Sequence, residues 1–316
     1  MSLQPHHNDA PPYWASLLTA RDFRAFIAGV QGYFKKRSIS IELDAEHGVI
    51  RPTDGALGTS SGFGLLNLLQ SCAQLPTGKW SGAIAHHFDA ILNAPQSENA
   101  LSLDVTNFEA IKSLLRARIY PDDVTDYFAE LVYRFGPQGT LEVLVIDLPK
   151  SVRTVALSEI AGWPVGEEEL FAIGRRNLAA QHELKRHVVA LPIGPTLTFY
   201  TGDPFYAASH ALLIEDLLPK DQVHGALVGI PRRDVLVVHP ITNIGMMDAL
   251  SAMLHVIHDM HADGPGSVSA CLYWFHGDTF VELPYEHPDA NNDFRLTPPD
   301  DFIELMDELE DVAQLS

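Results

Sequence analysis

The stretch spanning residues 197–241 constrains the fold more than any other part of the chain, because three strand patterns and a helix follow one another closely there. An apolar run ends at Gly-Asp-Pro (residues 202–204), a turn sequence that precedes a helical pattern from about residue 205. Two further apolar runs, 226–230 and 235–239, are separated by the polar turn Pro-Arg-Arg-Asp (231–234). The pattern predicts neighbouring strands joined by a β-turn.

Composition limits the kinds of partner that such a chain can have. The chain has 316 residues, of which 46% are hydrophobic and 20% charged, and its formal net charge at pH 7 is −20. This length is sufficient for one large domain or two ordinary ones. Proteins that bind nucleic acids or anionic membranes concentrate basic residues, but only 21 Lys and Arg cover the whole chain. The charge argues against both partners and favours either a basic protein partner or simple solubility.

Two observations lead us to expect a cytoplasmic protein. Cys72 and Cys271 both lie in apolar surroundings, which is typical of buried thiols in a reducing compartment, although the sequence is also compatible with one disulfide. The first residues lack the basic segment and apolar run of a signal peptide, and no stretch reaches the roughly 18 apolar residues of a membrane span. Because no cofactor-binding motif is evident, we expect no cofactor.

Hydrophobic periodicity divides the chain into two parts. Residues 1–111 contain mostly helical patterns, such as the four-residue spacing of Trp80, Ile84 and Phe88. Residues 112–316 alternate between strand patterns, turns and helices, and they end in an amphipathic helix. We therefore predict an α+β (or α/β) fold, with a mixed β-sheet flanked by helices and an added N-terminal region that is mostly helical.

One motif suggests a hydrolase. Residues 58–62 have the Gly-x-Ser-x-Gly spacing of a nucleophile elbow, with Ser60 in the position of the nucleophile. That mechanism requires an apolar strand directly before the serine, but residues 52–57 are rich in turn-forming residues. Since so short a pattern also arises by chance in a Gly/Ser-rich loop, it assigns no catalytic residue.

A histidine series suggests a metal site. His255, His258 and His261 recur on one predicted helix, and the first two could share a metal ion with His239 or Asp248. His261 is rotated by about 120° from the face of His255, so the three do not converge. A solvated helix edge explains the series equally well.

Charged residues beside turns are candidates for ligand or partner binding. Asp203 precedes a helix, where its carboxylate is expected to accept hydrogen bonds from free N–H groups and to repel an anion. Arg232 and Arg233 lie in a turn of an otherwise acidic protein, and Arg175 and Arg176 form a similar pair on a predicted helix. Each pair is either an exposed site for an acidic ligand or partner, or an ordinary solvated pair.

Five short segments between residues 112 and 285 stand in an order that indicates a family. They are Arg118-Ile119-Tyr120-Pro121, Val145-Ile146-Asp147, Arg176-Asn177-Leu178, the segment 202–209 and the segment 228–236. In their order and spacing, the chain resembles the YtpQ-like family of uncharacterised bacterial proteins. The family has no established activity, so the resemblance implies no catalytic residue, and residues 1–111 lie outside it.

The leading hypothesis is a non-catalytic binding or interaction protein, in one version an inhibitor that covers a basic protein. It is motivated by the lack of a catalytic constellation and by the strong negative charge, which accelerates encounters with basic partners.

Two alternatives come from other classes. A hydrolase would use Ser60 with a distant His and Asp, or a metal ion near His239, His255 and His258. A small-ligand sensor would use the helix start at Asp203 and the Arg232–Arg233 turn.

Overall fold

The chain forms two compact units. A computed structural model describes residues 10–53, 63–100, 104–122, 130–148, 151–191, 194–286 and 294–315. The units are Met1–Ser102 and Leu103–Ser316, and each is described here by itself. The domain boundary expected after residue 111 stays a prediction and lies inside the second unit.

The first unit packs helices against a short antiparallel sheet. Its elements are α1 (Ala20–Lys36), β1 (Ile41–Asp44), β2 (Val49–Pro52), β3 (Phe63–Gly64), α2 (Leu66–Ala73) and α3 (Trp80–Ala100). α1 begins after Thr19, whose side chain accepts a hydrogen bond from the backbone N–H of Asp22. Phe26, Val30 and Phe34 recur at helical spacing on α1 and share one core with α2, α3 and the sheet.

Among the described residues, the second unit contains two larger sheets and a two-stranded one, and the first larger sheet is built around a long central strand. Its strands are β4 (Leu115–Pro121), β5 (Tyr133–Phe135), β6 (Thr140–Leu148) and β7 (Ser151–Thr154), of which β6 pairs with the other three. The helices of this part are α4 (Phe108–Ile111), α5 (Leu157–Ile160) and α6 (Glu167–Gln181). α6 packs directly on β4, because a Cβ at Gly174 would lie only 2.7 Å from the backbone nitrogen of Ala117.

The second sheet has the strand order β13-β12-β10-β11-β9-β8, and all its neighbouring pairs are antiparallel. The strands are β8 (Lys185–Ala190), β9 (Thr196–Thr201), β10 (Ala226–Arg232), β11 (Val235–Pro240), β12 (Leu272–His276) and β13 (Thr279–Glu282). β10 and β11 are central and buried on both faces, which accounts for their uninterrupted apolar sequences.

Two helices cover one face of the second sheet. They are α7 (Met246–Asp263) and α8 (Asp300–Gln314), and the two-residue strands β14 (Tyr285–Glu286) and β15 (Arg295–Leu296) pair with each other before α8 begins. Leu250, Met253 and Phe302 from these helices share a core with the strands. The amphipathic pattern at the end of the chain therefore corresponds to a helix that packs on the sheet.

A 3-10 helix, Ala207–Leu217, packs against both sheets of the second unit. Ala208 and Ile214 share a core with Ile119 of β4 and with strands of the second sheet. The Ser209 hydroxyl oxygen accepts a hydrogen bond from the backbone N–H of Ile119 at 3.1 Å. These contacts bring the turn before the 3-10 helix next to the first sheet.

The architecture is α+β, which confirms the predicted mixture of helices and sheet. The described strand pairs are antiparallel, as short connections such as that between β10 and β11 require. Within the described ranges, none of the helices combines the length and the hydropathy that crossing a bilayer requires.

Candidate functional site

Two arginine side chains of the second unit converge on one aromatic ring. Arg118 is on β4, and Arg233 is in the turn that joins β10 to β11. The guanidinium carbon atoms of Arg118 and Arg233 lie 5.6 Å and 5.2 Å from the centroid of the Phe205 ring. We call Arg118, Tyr120, Phe205 and Arg233 the arginine site. The two sheets and the turn before the 3-10 helix all contribute to it.

Arg118 is buried and has no oppositely charged partner among the described residues. Its residue exposure is 7%, its Nη1 donates to the Tyr120 hydroxyl at 2.8 Å, and its Nε is buried without a hydrogen-bond partner among the described residues. The guanidinium carbon also lies 4.6 Å from the centroid of the Tyr120 ring. None of the ion pairs within the described ranges includes Arg118. Such burial is unfavourable, because the guanidinium loses water and gains no carboxylate.

Arg233 adds a second positive charge near the first. Burial and the charge of Arg118 lower the pKa of the Arg233 guanidinium, although Asp234 acts in the opposite direction. The Asp234 carboxylate is itself occupied, since it accepts hydrogen bonds from Nε and Nη2 of Arg232 at 3.0 and 3.1 Å. Like Arg118, Arg233 forms no ion pair in the part of the chain that the structure describes.

Gly266 determines the space around Arg233. Its carbonyl oxygen accepts a hydrogen bond from the Arg233 backbone N–H at 2.9 Å, and its φ angle is +86°. A Cβ at Gly266 would lie 2.9 Å from Nε of Arg233. A larger residue would therefore strain the backbone and displace the guanidinium.

A second polar group adjoins the arginine site through Tyr206. The Tyr206 hydroxyl donates to Oδ1 of Asp147 at 3.0 Å, and the Tyr206 and His182 ring centroids are 4.3 Å apart. His182 contacts two carboxylates, with Nε2 3.2 Å from Oδ2 of Asp147 and Nδ1 3.5 Å from Oδ2 of Asp203. The guanidinium carbon of Arg118 lies 5.9 Å from the Tyr206 ring centroid, so the two groups are contiguous.

The negative charge of Asp147 is balanced by the hydrogen-bond donors and the positive charge around it. Burial acts to raise the pKa of Asp147, but hydrogen bonds from His182 and Tyr206 and the charge of Arg116 outweigh it and lower that pKa. Burial and the negative charge of Asp147 raise the pKa of Tyr206, so its hydroxyl remains a protonated donor. This group therefore has donors, acceptors and charges that match, whereas the arginine site has an excess of positive charge.

Asp203 occupies the turn as the sequence predicts. Its Oδ1 accepts a hydrogen bond from the N–H of Phe205 at 2.8 Å, and its carbonyl oxygen accepts from the N–H groups of Tyr206 and Ala207 at 3.2 Å. The amides at the start of the 3-10 helix are thus occupied. An anion in this region must be bound by side chains.

The predicted pair of exposed arginines in the β10–β11 turn requires correction. Arg232 is half-buried and bound to Asp234, and its Nη1 also donates to the carbonyl oxygen of Gly264 at 3.2 Å. Only Arg233 of the two is without a carboxylate partner among the described residues. The turn sequence indicates this difference only in part, because Asp234 is two positions from Arg232 in the same turn, whereas Arg233 is surrounded by residues from other elements.

The two arginines predicted to form a patch on α6 lie in different surroundings. Nε and Nη2 of Arg175 each donate to the buried carboxylate of Glu142 at 2.7 Å. Arg176 is exposed. Consecutive residues of a helix point in different directions, so these two side chains do not form one surface.

The histidines considered as metal ligands lie in different surroundings. His239 is buried, and its Nδ1 is 2.9 Å from a backbone carbonyl oxygen. His255 and His258 lie against the Phe294 ring, with centroid separations of 4.8 and 5.7 Å. Over the described ranges, no three His, Cys, Asp or Glu side chains are arranged to hold a metal ion. Ser60, the hydrolase candidate, lies outside the described residues.

A cavity of about 680 Å³ lies elsewhere in the second unit, beside Glu142. The buried Glu142 carboxylate on its wall is bound by Arg134 and Arg175. The charge of the neighbouring Asp278 raises the pKa of the exposed Glu215 on the same wall. The buried charge of this wall is compensated, so the arginine site is the stronger candidate.

Sequence reasoning missed Arg118, the most informative residue of the site. Its signal is a charged residue inside the apolar strand pattern of β4, since arginine is rarely buried unless it is paired. Arg118, Asp147, Phe205 and Arg233 all belong to segments that carry the YtpQ-like resemblance, and the fold brings these segments together.

Comparison with known proteins finds no significant match to any protein-family model, any curated protein or any solved structure. The YtpQ-like resemblance therefore stays a prediction, and the function must be argued from the geometry of the site.

Proposed function

We propose that the second unit binds a small anionic ligand at the arginine site, and that the protein is a non-catalytic binding protein or ligand sensor. The observation that carries this proposal is the buried Arg118 guanidinium, which has no carboxylate partner among the described residues. The chain has 41 Asp and Glu against 21 Lys and Arg, so acidic residues are abundant. A ligand that supplies the missing negative charge accounts for a buried arginine in this state.

The unpaired edge of Arg118 has the chemistry that binds the oxygen atoms of a carboxylate or phosphate group, and because Nε is buried, a ligand reaches it only if neighbouring side chains move. Nη1 is used by Tyr120, whereas Nε and Nη2 form no hydrogen bond with the described residues. The N–H groups of this edge are parallel and coplanar, which is the arrangement that binds two oxygen atoms of one anionic group.

The residues around this edge of Arg118 indicate which anions should bind most tightly. Arg233 provides a second positive charge, so a dianion gains more Coulomb energy than a monoanion does. Phe205 is 41% exposed and provides an apolar wall beside the charges. We expect phosphate and dicarboxylates to bind more tightly than acetate or chloride.

Thermal unfolding in different anions tests the proposal. Sodium phosphate, citrate, acetate and chloride are compared at equal ionic strength, so that general salt effects cancel. A ligand present at about 100 times its Kd stabilises the fold by about 2.7 kcal/mol, which raises the Tm by several degrees. We expect this rise with phosphate or citrate, and its loss in Arg118→Met and Arg233→Gln.

Arg176→Gln is the matched control, because it removes the same charge from an exposed position on α6. It should retain the full response to anions. The proposal is wrong if no anion stabilises the wild-type protein beyond chloride, or if Arg176→Gln loses the response to the same extent.

A different surface supports the second candidate, capture of a basic protein. The exposed face of α8 has no lysine or arginine, and its acidic residues are Asp300, Asp301, Glu304, Asp307, Glu308, Glu310 and Asp311. Such a face attracts basic partners at low salt. Immobilised protein should retain a basic host protein at low salt and lose it when Glu304, Asp307 and Glu308 are changed to amides. Equal retention by this variant would exclude α8 as the binding surface.

A further inference from the structure

β8 is an open edge of the second sheet. In the described part of the chain it pairs only with β9, and each of its residues is exposed. Val188 and Val189 are 47% and 46% exposed, although consecutive side chains of a strand point to opposite faces. Edge strands are usually protected by charges or a covering element, because their open N–H and C=O groups template further pairing. Val188 and Val189 lie in the half of β8 that has no charged residue, so this half of the edge lacks that protection.

Basic residues are concentrated at the end of β8 that lies near the arginine site. Lys185-Arg186-His187 begins the strand, in a chain with a net charge of −20. Lys185 pairs with Thr201, the last residue of β9, and the turn that follows leads to Phe205. The ring of His182, just before β8, lies against that of Tyr206, with the two planes tilted by 31°. The start of β8 and the arginine site are therefore neighbours.

We propose that the anionic ligand is an acidic peptide in extended conformation, which adds to β8 as a further strand and places a carboxylate at Arg118 and Arg233. This inference rests on the proposed function of the arginine site. Strand addition obtains affinity from main-chain hydrogen bonds and specificity from alternate side chains. A strand rises about 3.3 Å per residue, so a segment of about ten residues spans β8 and reaches past the turn at Phe205.

The charges of β8 select the chemistry of the partner strand. Lys185 and His187 lie on one face of the strand, and Arg186 lies on the other. Acidic residues at alternate positions of the incoming strand share one face, so they stand opposite either Lys185 and His187 or Arg186, and such pairs stabilise neighbouring strands.

A second copy of this chain is the competing occupant of β8. In a second copy the facing strand carries the same Lys185, Arg186 and His187, so the basic side chains of β8 gain no acidic partner. Pairing β8 with itself also leaves Arg118 without a carboxylate. An acidic peptide compensates the charges of both β8 and the arginine site, and we therefore commit to it.

Fluorescence anisotropy with designed peptides tests this proposal. The probe is a fluorescein-labelled peptide of about ten residues that alternates Glu with Val and ends in a free carboxylate. One matched probe has Lys in place of Glu, one has an amidated C-terminus, and one carries N-methyl groups on alternate backbone nitrogens. We expect the acidic probe to bind and the Lys and N-methylated probes to fail. The amidated probe shows whether a terminal or a side-chain carboxylate is bound.

The protein variants separate the two parts of the inference. Lys185→Glu/Arg186→Glu should weaken the acidic probe by about tenfold or more without changing the phosphate response, whereas Arg118→Met should abolish both. Arg176→Glu is the charge-matched control and should bind like the wild type. Val188→Pro and Val189→Pro provide a test that does not depend on charge, since one of these two nitrogens faces the open edge and tolerates proline without loss of β9 pairing.

The failures of the two proposals are distinguishable. A protein that responds to phosphate but binds no acidic probe overturns the peptide proposal and leaves the anion site intact. Loss of both responses overturns both proposals. Probe binding that survives Arg118→Met, or a dimer in light scattering that Val188→Pro or Val189→Pro dissociates, assigns β8 to another partner and overturns the peptide proposal.

Discussion

Two pairs of arginines in the second unit have opposite electrostatic surroundings. Arg134 and Arg175 share the carboxylate of Glu142, which is 1% exposed, at distances of 2.6 and 2.7 Å. Arg118 and Arg233 both lie beside the Phe205 ring, and neither forms an ion pair with the described residues. In the same unit, one arginine pair contacts a buried carboxylate and the other pair contacts none among the described residues. The comparison separates arginines that share a buried carboxylate from arginines that have no carboxylate partner among the described residues.

The contrast also exists within a single strand. Arg116 and Arg118 are two positions apart on β4 and point to the same side. Nη1 of Arg116 donates to two backbone carbonyl oxygens at 2.8 Å, and Nη2 donates to Gln181 and lies 3.7 Å from Asp147. The Nε of Arg116 has no partner among the described residues, as in Arg118, but the charge of Arg116 is compensated by Asp147.

Removal of the shared carboxylate should give the largest effect. Glu142→Gln leaves two adjacent guanidinium groups with only the exposed Glu168 as a nearby carboxylate, and we expect the free energy of unfolding to fall by about 3 kcal/mol. Urea denaturation followed by circular dichroism measures this loss. Glu168→Gln is the control, because Glu168 contacts Arg134 at 3.2 Å but its side chain is 94% exposed. The control should lose less than about 0.5 kcal/mol, and equal losses would abolish the contrast between the arginine pairs.

Replacement of Arg118 should increase the stability of the ligand-free protein, in contrast to replacement of Glu142. Arg118→Met removes a buried charge without a partner and keeps an apolar chain of similar length, so the ligand-free protein should gain about 1 kcal/mol of stability. The same variant should lose the stabilisation by phosphate or citrate. Urea denaturation with and without the anion measures both effects. A loss of stability in the ligand-free variant would instead make Arg118 a structural residue, like Arg175.

The dependence of stability on acidic pH should reveal the contribution of the Asp147 carboxylate. The folded-state pKa of Asp147 lies below its unfolded value of about 3.9, so its carboxylate contributes stability that is fully present above that pH. This contribution is lost as the pH falls through the folded-state pKa. Asp147→Asn should therefore show a weaker decline in stability between about pH 5 and pH 2 than the wild type. If the wild type and Asp147→Asn lose stability identically as the pH falls, the Asp147 carboxylate does not stabilise the fold by balancing the charge of Arg116.

The smallest effect is expected at Arg176. Its side chain is exposed on α6, so Arg176→Gln should change the free energy of unfolding by less than about 0.5 kcal/mol. Thermal and urea unfolding measured beside Arg175→Gln provide the comparison. Arg175→Gln should be clearly destabilised, because it takes two hydrogen bonds from the buried Glu142. A large effect at Arg176 would show that it has a structural role.

Much of the local structure could be predicted from the sequence. The helix of α1, the strands β10 and β11 with their turn, and the final helix α8 follow from periodicity and turn residues. The role of Asp203 in the turn before the 3-10 helix follows in the same way. These predictions depend on interactions between residues that are close in the chain, so a short segment contains the information for them.

The arginine site could be predicted only in part. Arg233 stands out locally as a basic residue in a turn, but so does Arg232, and the two differ because Asp234 binds only Arg232. Arg118 lies in a different sheet from Arg233, and it meets Phe205 only because the 3-10 helix packs between β4 and the second sheet. No local sequence pattern predicts the contact between Arg118 and Phe205.

By itself, the sequence determined the helix and strand segments, the acidic net charge and the α+β character of this protein, because hydrophobic period and turn chemistry act over a few residues. Only the tertiary structure decided which arginines are compensated. Coulomb energy and desolvation depend on the distance between side chains and on their burial, and both are set when separate elements pack together. For that reason Glu142 compensates Arg134 and Arg175, while Arg118 and Arg233 form no ion pair with the described residues.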